Sequence, residues 1–399
     1  MSRLALAVLV LWTQKAAAQA AILGATPARD GRFPAARAAI DSGIARRVFP
    51  GAVLLVLSNT QTLDRTAAGT LDTTRRSPRP SASGTMWDLA SLSKLLGPVS
   101  VAARLVDRGR LDLDAPVHRY VPAFRGTVRD GITVRMLLRH TSGLRPFLRL
   151  WTVAATPGAG WDLVLNDALV RRPDSAALYS DLNALLLQRV VERVGGAPLA
   201  VLVAREVAQP LGLRSLRYRP PPALRARAAP TRGPGASDGM PPTRGTVHDE
   251  NAAFLGGVAG HAGLFATGDD VARFARAWLR LARRAQGLPV RGRDAADRWL
   301  RPATVATFLE RTAAGGTRRL GWDSPDSAAI ARGEVGSYGS GLSPLAFGHT
   351  GFTGTFVWID PARDRALVLL TNRTYFGRDD ASAAGMREVR RGVSAAVAP

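Results

Sequence analysis

Two pairs of strand-like segments lie near opposite ends of this chain, and the stretch between them reads mostly as helix. Gly51-Ala-Val-Leu-Leu-Val-Leu57 and Thr62 to Thr70 flank a polar turn, as paired strands do. Gly354 to Asp360 and Arg365 to Asn372 repeat the pattern around Pro361-Ala-Arg-Asp364. Strands near both ends with helices between them suggest one sheet assembled from the two terminal parts. The expected class is therefore α/β, in the α+β sense. An antiparallel sheet flanked by helices should form from about 34–98 and 316–397. A mainly helical region, about 99–315, should be inserted between them.

Helical segments fill in the rest. Pro34 to Ala45 carries its proline in the first turn, where a missing N–H costs nothing. Ser91 to Arg108 has helical periodicity, and Pro98 should bend it partway. Leu182 to Val194 is a strong amphipathic stretch closed by Gly195-Gly196. Asp269 to Arg284 reads as a helix starting at an acidic cap, and 381–397 as a final helix. Residues 217–245, rich in Pro, Arg and Gly, read as a long irregular loop. No internal repeat is visible.

The first twenty residues have the pattern of a secretory signal peptide. A short basic start precedes an uncharged stretch from Leu4 to Trp12, and small residues end at Ala18-Gln19-Ala20. Cleavage there leaves residues 21–33 as a loose arm and 34–397 as one folded body. An uncleaved anchor is the alternative. The expected location is secreted or periplasmic. Cysteine is absent, so neither a disulfide nor a thiolate metal site is available.

The formal charge is +23. Such a surplus favours association with an anionic cell envelope, although composition bias toward arginine explains it as well. No nucleic-acid motif accompanies it, and a nucleic-acid partner is not expected. Of 54 basic residues, only Lys15 and Lys94 are lysines, and Lys15 lies in the signal. Wherever this chain needs only a positive charge, it uses arginine. Lysine can be deprotonated in a protein and arginine cannot, so Lys94 is a candidate for proton chemistry.

Lys94 stands three residues after Ser91, at the opening of a helix. A serine there lies beside unpaired backbone N–H groups that suit an oxyanion. A lysine one turn on can take its proton. An N-cap serine followed by a surface lysine fits the same spacing. Ser93 has no such partner. Tyr179-Ser180-Asp181 precedes the next strong helix. Its tyrosine can relay a proton, and its aspartate can orient Lys94 or cap the helix. Phe347 to Thr355, FGHTGFTGT, lets a strand edge approach a ligand closely. His349 there can carry a proton or charge near neutral pH. A structural bulge is the alternative.

Three other patterns carry less. Gly235-Ala-Ser-Asp-Gly239 matches a nucleophile elbow but lacks the flanking strand and helix. His248, Asp249, Glu250 and His261 do not have zinc-site spacing, and a structural role for their loop is expected. Gly257, Gly260 and Gly263 do not link a strand to a helix as a nucleotide loop does. His140 is expected to fix a turn by hydrogen bonds.

Together, the three reactive segments and their order resemble the serine β-lactamase and penicillin-binding-protein superfamily, in its class C-like and D,D-carboxypeptidase-like branch. The likeness spans roughly residues 35–395. It includes Leu137-Leu-Arg-His-Thr-Ser-Gly-Leu144, Pro210-Leu-Gly-Leu213, Val247-His-Asp-Glu-Asn-Ala252 and Gly256 to Phe265, a set similar to penicillin-binding-protein 4B-like, β-lactamase-related hydrolases. The resemblance implies a β-lactamase/transpeptidase-like fold. It implies Ser91 as nucleophile, neutral Lys94 as its base and Tyr179 as proton shuttle. Asp181 takes the asparagine place of a Y-x-N motif. His349, Thr350 and Gly351 take the K-T-G place, and Phe352 N–H becomes the second oxyanion donor. No metal or other cofactor is implied, and the expected partner is a small-molecule or peptidoglycan-derived substrate of a monomeric enzyme. The histidine in the lysine place leaves room for small carboxylic esters. A non-catalytic cell-envelope binding protein on the same fold is the remaining alternative.

Overall fold

In the computed structural model, residues 31–233, 241–326, 328, 338–339 and 341–397 are described. The signal-like segment, most of the arm and the Gly235–Gly239 elbow pattern lie outside them.

The main sheet joins both ends of the chain, as expected. Its strands are β1 (Gly51–Leu57), β2 (Thr62–Gly69), β6 (Phe347–Thr350), β7 (Phe356–Asp360) and β8 (Arg365–Thr371). They run in the order β2-β1-β8-β7-β6, and every pairing is antiparallel. β1 is apolar at nearly every position because both faces of the sheet are covered. Val53, Leu55 and Leu57 face the larger core, beneath the helix Gly268–Ala285. Ala52, Leu54 and Val56 face a second core made with Pro34–Ala45 and Asp380–Val397. A one-residue slip would exchange these two sets, so burial on both faces pins the register.

The inserted region is mostly helical but also carries a small second sheet that sequence periodicity does not reveal. β3 (Trp87–Asp88), β4 (Arg217–Tyr218) and β5 (Leu264–Ala266) form it in the order β3-β5-β4. Strands of two or three residues are too short to show a period, and tertiary pairing alone makes them. β4 also interrupts the loop expected over 217–245. The helix expected to start on an acidic cap starts instead on Thr267, whose side chain accepts from Asp270 N–H. Threonine caps as aspartate does, so the adjacent Asp269 and Asp270 became first-turn residues. At Pro98 the helix widens into a π-helical turn, Leu95–Val99, with Gly97 non-helical, before Ser100–Asp107 continues it. That is the interruption a ring without an N–H imposes.

An aromatic wedge fixes the sheet edge that will matter below. Trp322 stacks edge-on against Phe347 at 4.9 Å and against Trp278 at 5.0 Å. This buries the start of β6 and directs its other end toward the small sheet. Among the described residues no helix is long and apolar enough to cross a membrane.

Candidate active site

The site begins at a strained turn. β3 pairs with β5, and Leu89 N–H continues that pairing to Leu264 O. The chain then reverses at Ala90, whose φ of 45° is a conformation that a side chain disfavours. Asp88 holds this turn, accepting from Ala90 N–H at 2.9 Å and His248 N–H at 2.7 Å. Burial pushes the Asp88 carboxyl up to about 6. Thr353 and Thr355 donate to Asp88 O and Leu89 O, tying the turn to the strand edge. Gly351 lies in this junction, where a Cβ would come 2.0 Å from Thr355 Oγ1 and 2.8 Å from Leu89 O. Only glycine fits there.

Ser91 follows the turn, and its side chain makes no cap hydrogen bond. Lys94 Nζ donates to Ser91 Oγ at 3.1 Å and to His261 O at 3.3 Å. Lys94 is 2 % exposed. These two facts set aside a capping serine and a surface lysine. Ser93 is buried and accepts from Leu264 N–H, a structural role.

Asp181 also faces this lysine, its Oδ1 2.7 Å from Lys94 Nζ. Ser180, not Asp181, caps the helix Asp181–Gly195 by accepting from Asn183 N–H. Burial works against the Lys94 charge, but Asp181 and Tyr179 outweigh it and hold the ammonium well above its ordinary range. The lysine expected to be neutral is therefore charged at rest. A carboxylate in the asparagine place is the physical reason.

Tyr179 has Lys94 Nζ 4.9 Å from its ring centre and the Arg318 guanidinium at 4.8 Å. Its hydroxyl is buried, and among the described residues it has no hydrogen-bond partner. His140 packs on the ring at 4.7 Å and accepts from Ser180 N–H through Nδ1, which fixes the tyrosine loop. His140 is thus structural, as its turn predicts.

His349 lies on β6, 5.6 Å from the Tyr179 ring. Burial, then Arg318 and Lys94, push its imidazole well below 6.5. It is neutral at neutral pH, and the expectation of charge there is corrected. Sequence reading missed Arg318, which provides that charge. Asp323 exchanges two backbone hydrogen bonds with Gly348 on β6. Its carboxylate lies 3.3 Å from Arg318 and so places the guanidinium beside the site.

Ser91, Tyr179, His349, Thr350, Gly351 and Phe352 line one cavity of about 410 Å³. Among the described residues, neither Ser91 N–H nor Phe352 N–H has an acceptor. Arg318, Arg373, Arg387 and Arg390 also line the cavity, with Asp323 as the single carboxylate. Arg390 is buried and donates to Gly351 O and Thr355 O, and among the described residues its Nε has no partner. A serine hydroxyl, a lysine, a phenol and two free N–H groups at one end of a cationic cavity suit acyl transfer from an anionic substrate.

The loop read as structural also reaches the site. His261 Nε2 lies 2.8 Å from Asp249 Oδ1, and His248 stacks on Phe352 at 5.6 Å. Asp181, Asp249 and His261 bring one ligand atom each within 4.8 Å of one another. The Lys94 ammonium already occupies the cation position beside Asp181.

A model of the family described as Beta-lactamase matches residues 36–389. A Bacillus subtilis (strain 168) protein named N-acetylmuramyl-L-alanine amidase is 30% identical over 358 residues, covering 82% of this chain and 78% of that protein. An Escherichia coli O157:H7 protein named "Putative D-alanyl-D-alanine carboxypeptidase" is 30% identical over 361 residues, covering 82% and 79%. Among solved structures, a penicillin-binding protein homolog from Caulobacter crescentus superposes with a TM-score of 0.68 at 22% identity, over 93% of this chain and 99% of that one. EstCE1, a hydrolase with promiscuous acyltransferase activity, gives 0.69 at 23% identity, over 90% and 98%.

Proposed function

This chain belongs to the beta-lactamase family, and from that premise we propose that it is an exported serine hydrolase that cleaves an amide or ester of a carboxylate-bearing substrate through a Ser91 acyl-enzyme. The observation that carries this reading is the Ser91–Lys94 hydrogen bond of 3.1 Å at the mouth of an arginine-lined cavity.

In this reading the Lys94 ammonium first loses its proton to solvent. The neutral amine then takes the Ser91 proton as Oγ attacks the carbonyl carbon. Ser91 N–H and Phe352 N–H hold the oxyanion. Tyr179, with Lys94, returns the proton to the leaving nitrogen or oxygen as the scissile bond breaks. Water then enters by the same route reversed and frees the acid. Because Lys94 is charged at rest, kcat/KM rises with pH through the neutral range. Arg318 replaces the missing lysine of the K-T-G place as the permanent cation for a substrate carboxylate, since His349 is neutral.

The bonds in the relatives' names, D-alanyl-D-alanine and muramyl-L-alanine, both belong to stem peptides that carry free carboxylates, which suits such a cavity. The signal-like first twenty residues and the positive surplus support export to an anionic envelope. The test is digestion of purified muropeptides ending in D-Ala-D-Ala, with the cut bond read by mass spectrometry and a carboxylate-bearing ester run in parallel. Release of D-alanine supports a carboxypeptidase. Release of the whole stem supports the amide bond to muramic acid. Cleavage of the ester alone supports an esterase. No turnover of any of them overturns the proposal in favour of a binding protein.

A further inference from the structure

Lys94 has a second charged pair behind it that the acyl-transfer scheme does not use. His261 is 1 % exposed. Its carbonyl accepts from Lys94 Nζ at 3.3 Å, and its ring contacts Asp249 at 2.8 Å. Asp249 also caps the short helix Glu250–Phe254 by accepting from Ala252 N–H. One side chain therefore anchors both the loop and the imidazole. The other ring nitrogen, Nδ1, is buried and has no partner among the described residues. A ring held only for structure has little reason to face two carboxylates, Asp249 and Asp181, next to the one catalytic lysine.

We propose that His261 is a built-in counterweight to Asp249, in which the paired imidazole cancels a second carboxylate behind Lys94, positions that lysine through the His261 carbonyl, and so sets the pH at which Ser91 can be activated. This rests on the acyl-transfer reading above. His261 is a positioning residue, since it acts through Lys94.

The charges around Lys94 come from several elements. Tyr179 approaches from the segment before the Asp181–Gly195 helix and Asp181 from its first turn, and Asp249 and His261 approach from the opposite loop. Arg318 approaches past Tyr179, and His140 and His349, both neutral, complete the shell. Burial opposes charge on His261, but Asp249 and then Asp181 outweigh it and raise its pKa. Charged His261 next to Lys94 favours loss of the Lys94 proton, because like charges repel. With the pair intact, its net charge is zero. Removing His261 alone leaves Asp249 as an uncompensated negative charge that holds the Lys94 proton more tightly. Removing both charges restores the balance.

This arithmetic separates tuning from mere support. His261→Gln keeps a donor toward Asp249 and loses the charge. Its rise of kcat/KM with pH should move upward by about one unit, read as a roughly tenfold loss at fixed pH. Asp249→Asn should leave His261 neutral and the rise near its wild-type position, since both charges vanish. The double variant should recover most of the rate that His261→Gln loses. A structural role predicts the reverse, with the double variant worse than either single one and no displacement of the profile.

The substrate is p-nitrophenyl acetate, with melting curves run on each variant. Should a variant fail to fold, histidine NMR of the wild type decides. The chain has five histidines, and His261 should stay protonated above pH 6.5 while His140 and His349 stay neutral. A His261 that is neutral at pH 6 overturns the proposal. Ester turnover by Ser91→Ala equal to that of the wild type overturns the acyl-transfer reading instead, and the same assay reads it.

Discussion

Asp181 Oδ1 lies 2.7 Å from Lys94 Nζ, a carboxylate against the lysine where the related motif has a neutral asparagine. That contact makes the resting lysine a firmly held cation. It ties the rate of any acyl transfer at Ser91 to how readily Lys94 gives up its proton.

Burial opposes the charge on Lys94, and replacing Asp181 with asparagine removes the strongest attraction that holds its proton. Asp181→Asn should raise kcat/KM at pH 7 by about tenfold or more, with the rise in rate moved to lower pH. The check is a pH profile with a neutral ester. A profile that stays in place, or a uniform loss, contradicts the assignment of Asp181 as the group that holds Lys94 charged.

His349 is buried and neutral, so His349→Gln should add or remove no inflection in the activity profile between pH 5 and 8. Stability behaves differently. The folded pKa of His349 lies below the unfolded value of about 6.5, so its contribution is complete above that pH. It is lost as pH falls through the folded value. Thermal unfolding from pH 7 downward should fall less steeply in His349→Gln than in wild type. An equal slope would show that His349 carries its proton in the folded state as well.

Arg318→Gln separates anionic from neutral substrates. For a carboxylate-bearing ester, KM should rise roughly tenfold to a hundredfold, the worth of a charged hydrogen bond of about 1.5–3 kcal/mol. For a neutral ester of the same alcohol it should change little. Equal losses on both would assign Arg318 to Tyr179 rather than to the substrate.

Gly351→Ala places a methyl group 2.0 Å from Thr355 Oγ1 and 2.8 Å from Leu89 O. Relief requires separating the Ser91 turn from β6. A loss of about 1–3 kcal/mol in stability is expected, with activity falling further than stability explains. A variant with wild-type melting and rate would show that this junction does not position Ser91.

Much of this was legible in the sequence because it depends on local signals. Pro34 to Ala45 and Gly51 to Leu57 match their observed bounds, since a proline at the first turn and a run of β-branched and leucine residues each leave a periodic or capping mark. Ser91 and Lys94 were legible from a three-residue spacing and from Lys94 being one of only two lysines among 54 basic residues. Arg318 was not. It sits among 52 arginines, and what selects it is the Asp323–Gly348 pairing, a contact between distant segments. Asp249 and His261 were legible only as a loop motif, because twelve residues and a glycine-rich turn separate two groups that the fold brings to 2.8 Å. The charge state of His349 was also hidden, since burial and two neighbouring cations decide it.

The central claim is that Ser91 becomes acylated, and the intact mass of the protein tests it most directly. Wild type and Ser91→Ala are each mixed with a penicillin and with p-nitrophenyl acetate, quenched in acid and weighed. The account predicts a gain of one acyl group on wild type with at least one reagent, and none on Ser91→Ala, whose melting should be unchanged. An equal gain on both proteins, or ester turnover that survives the loss of Ser91, would contradict it.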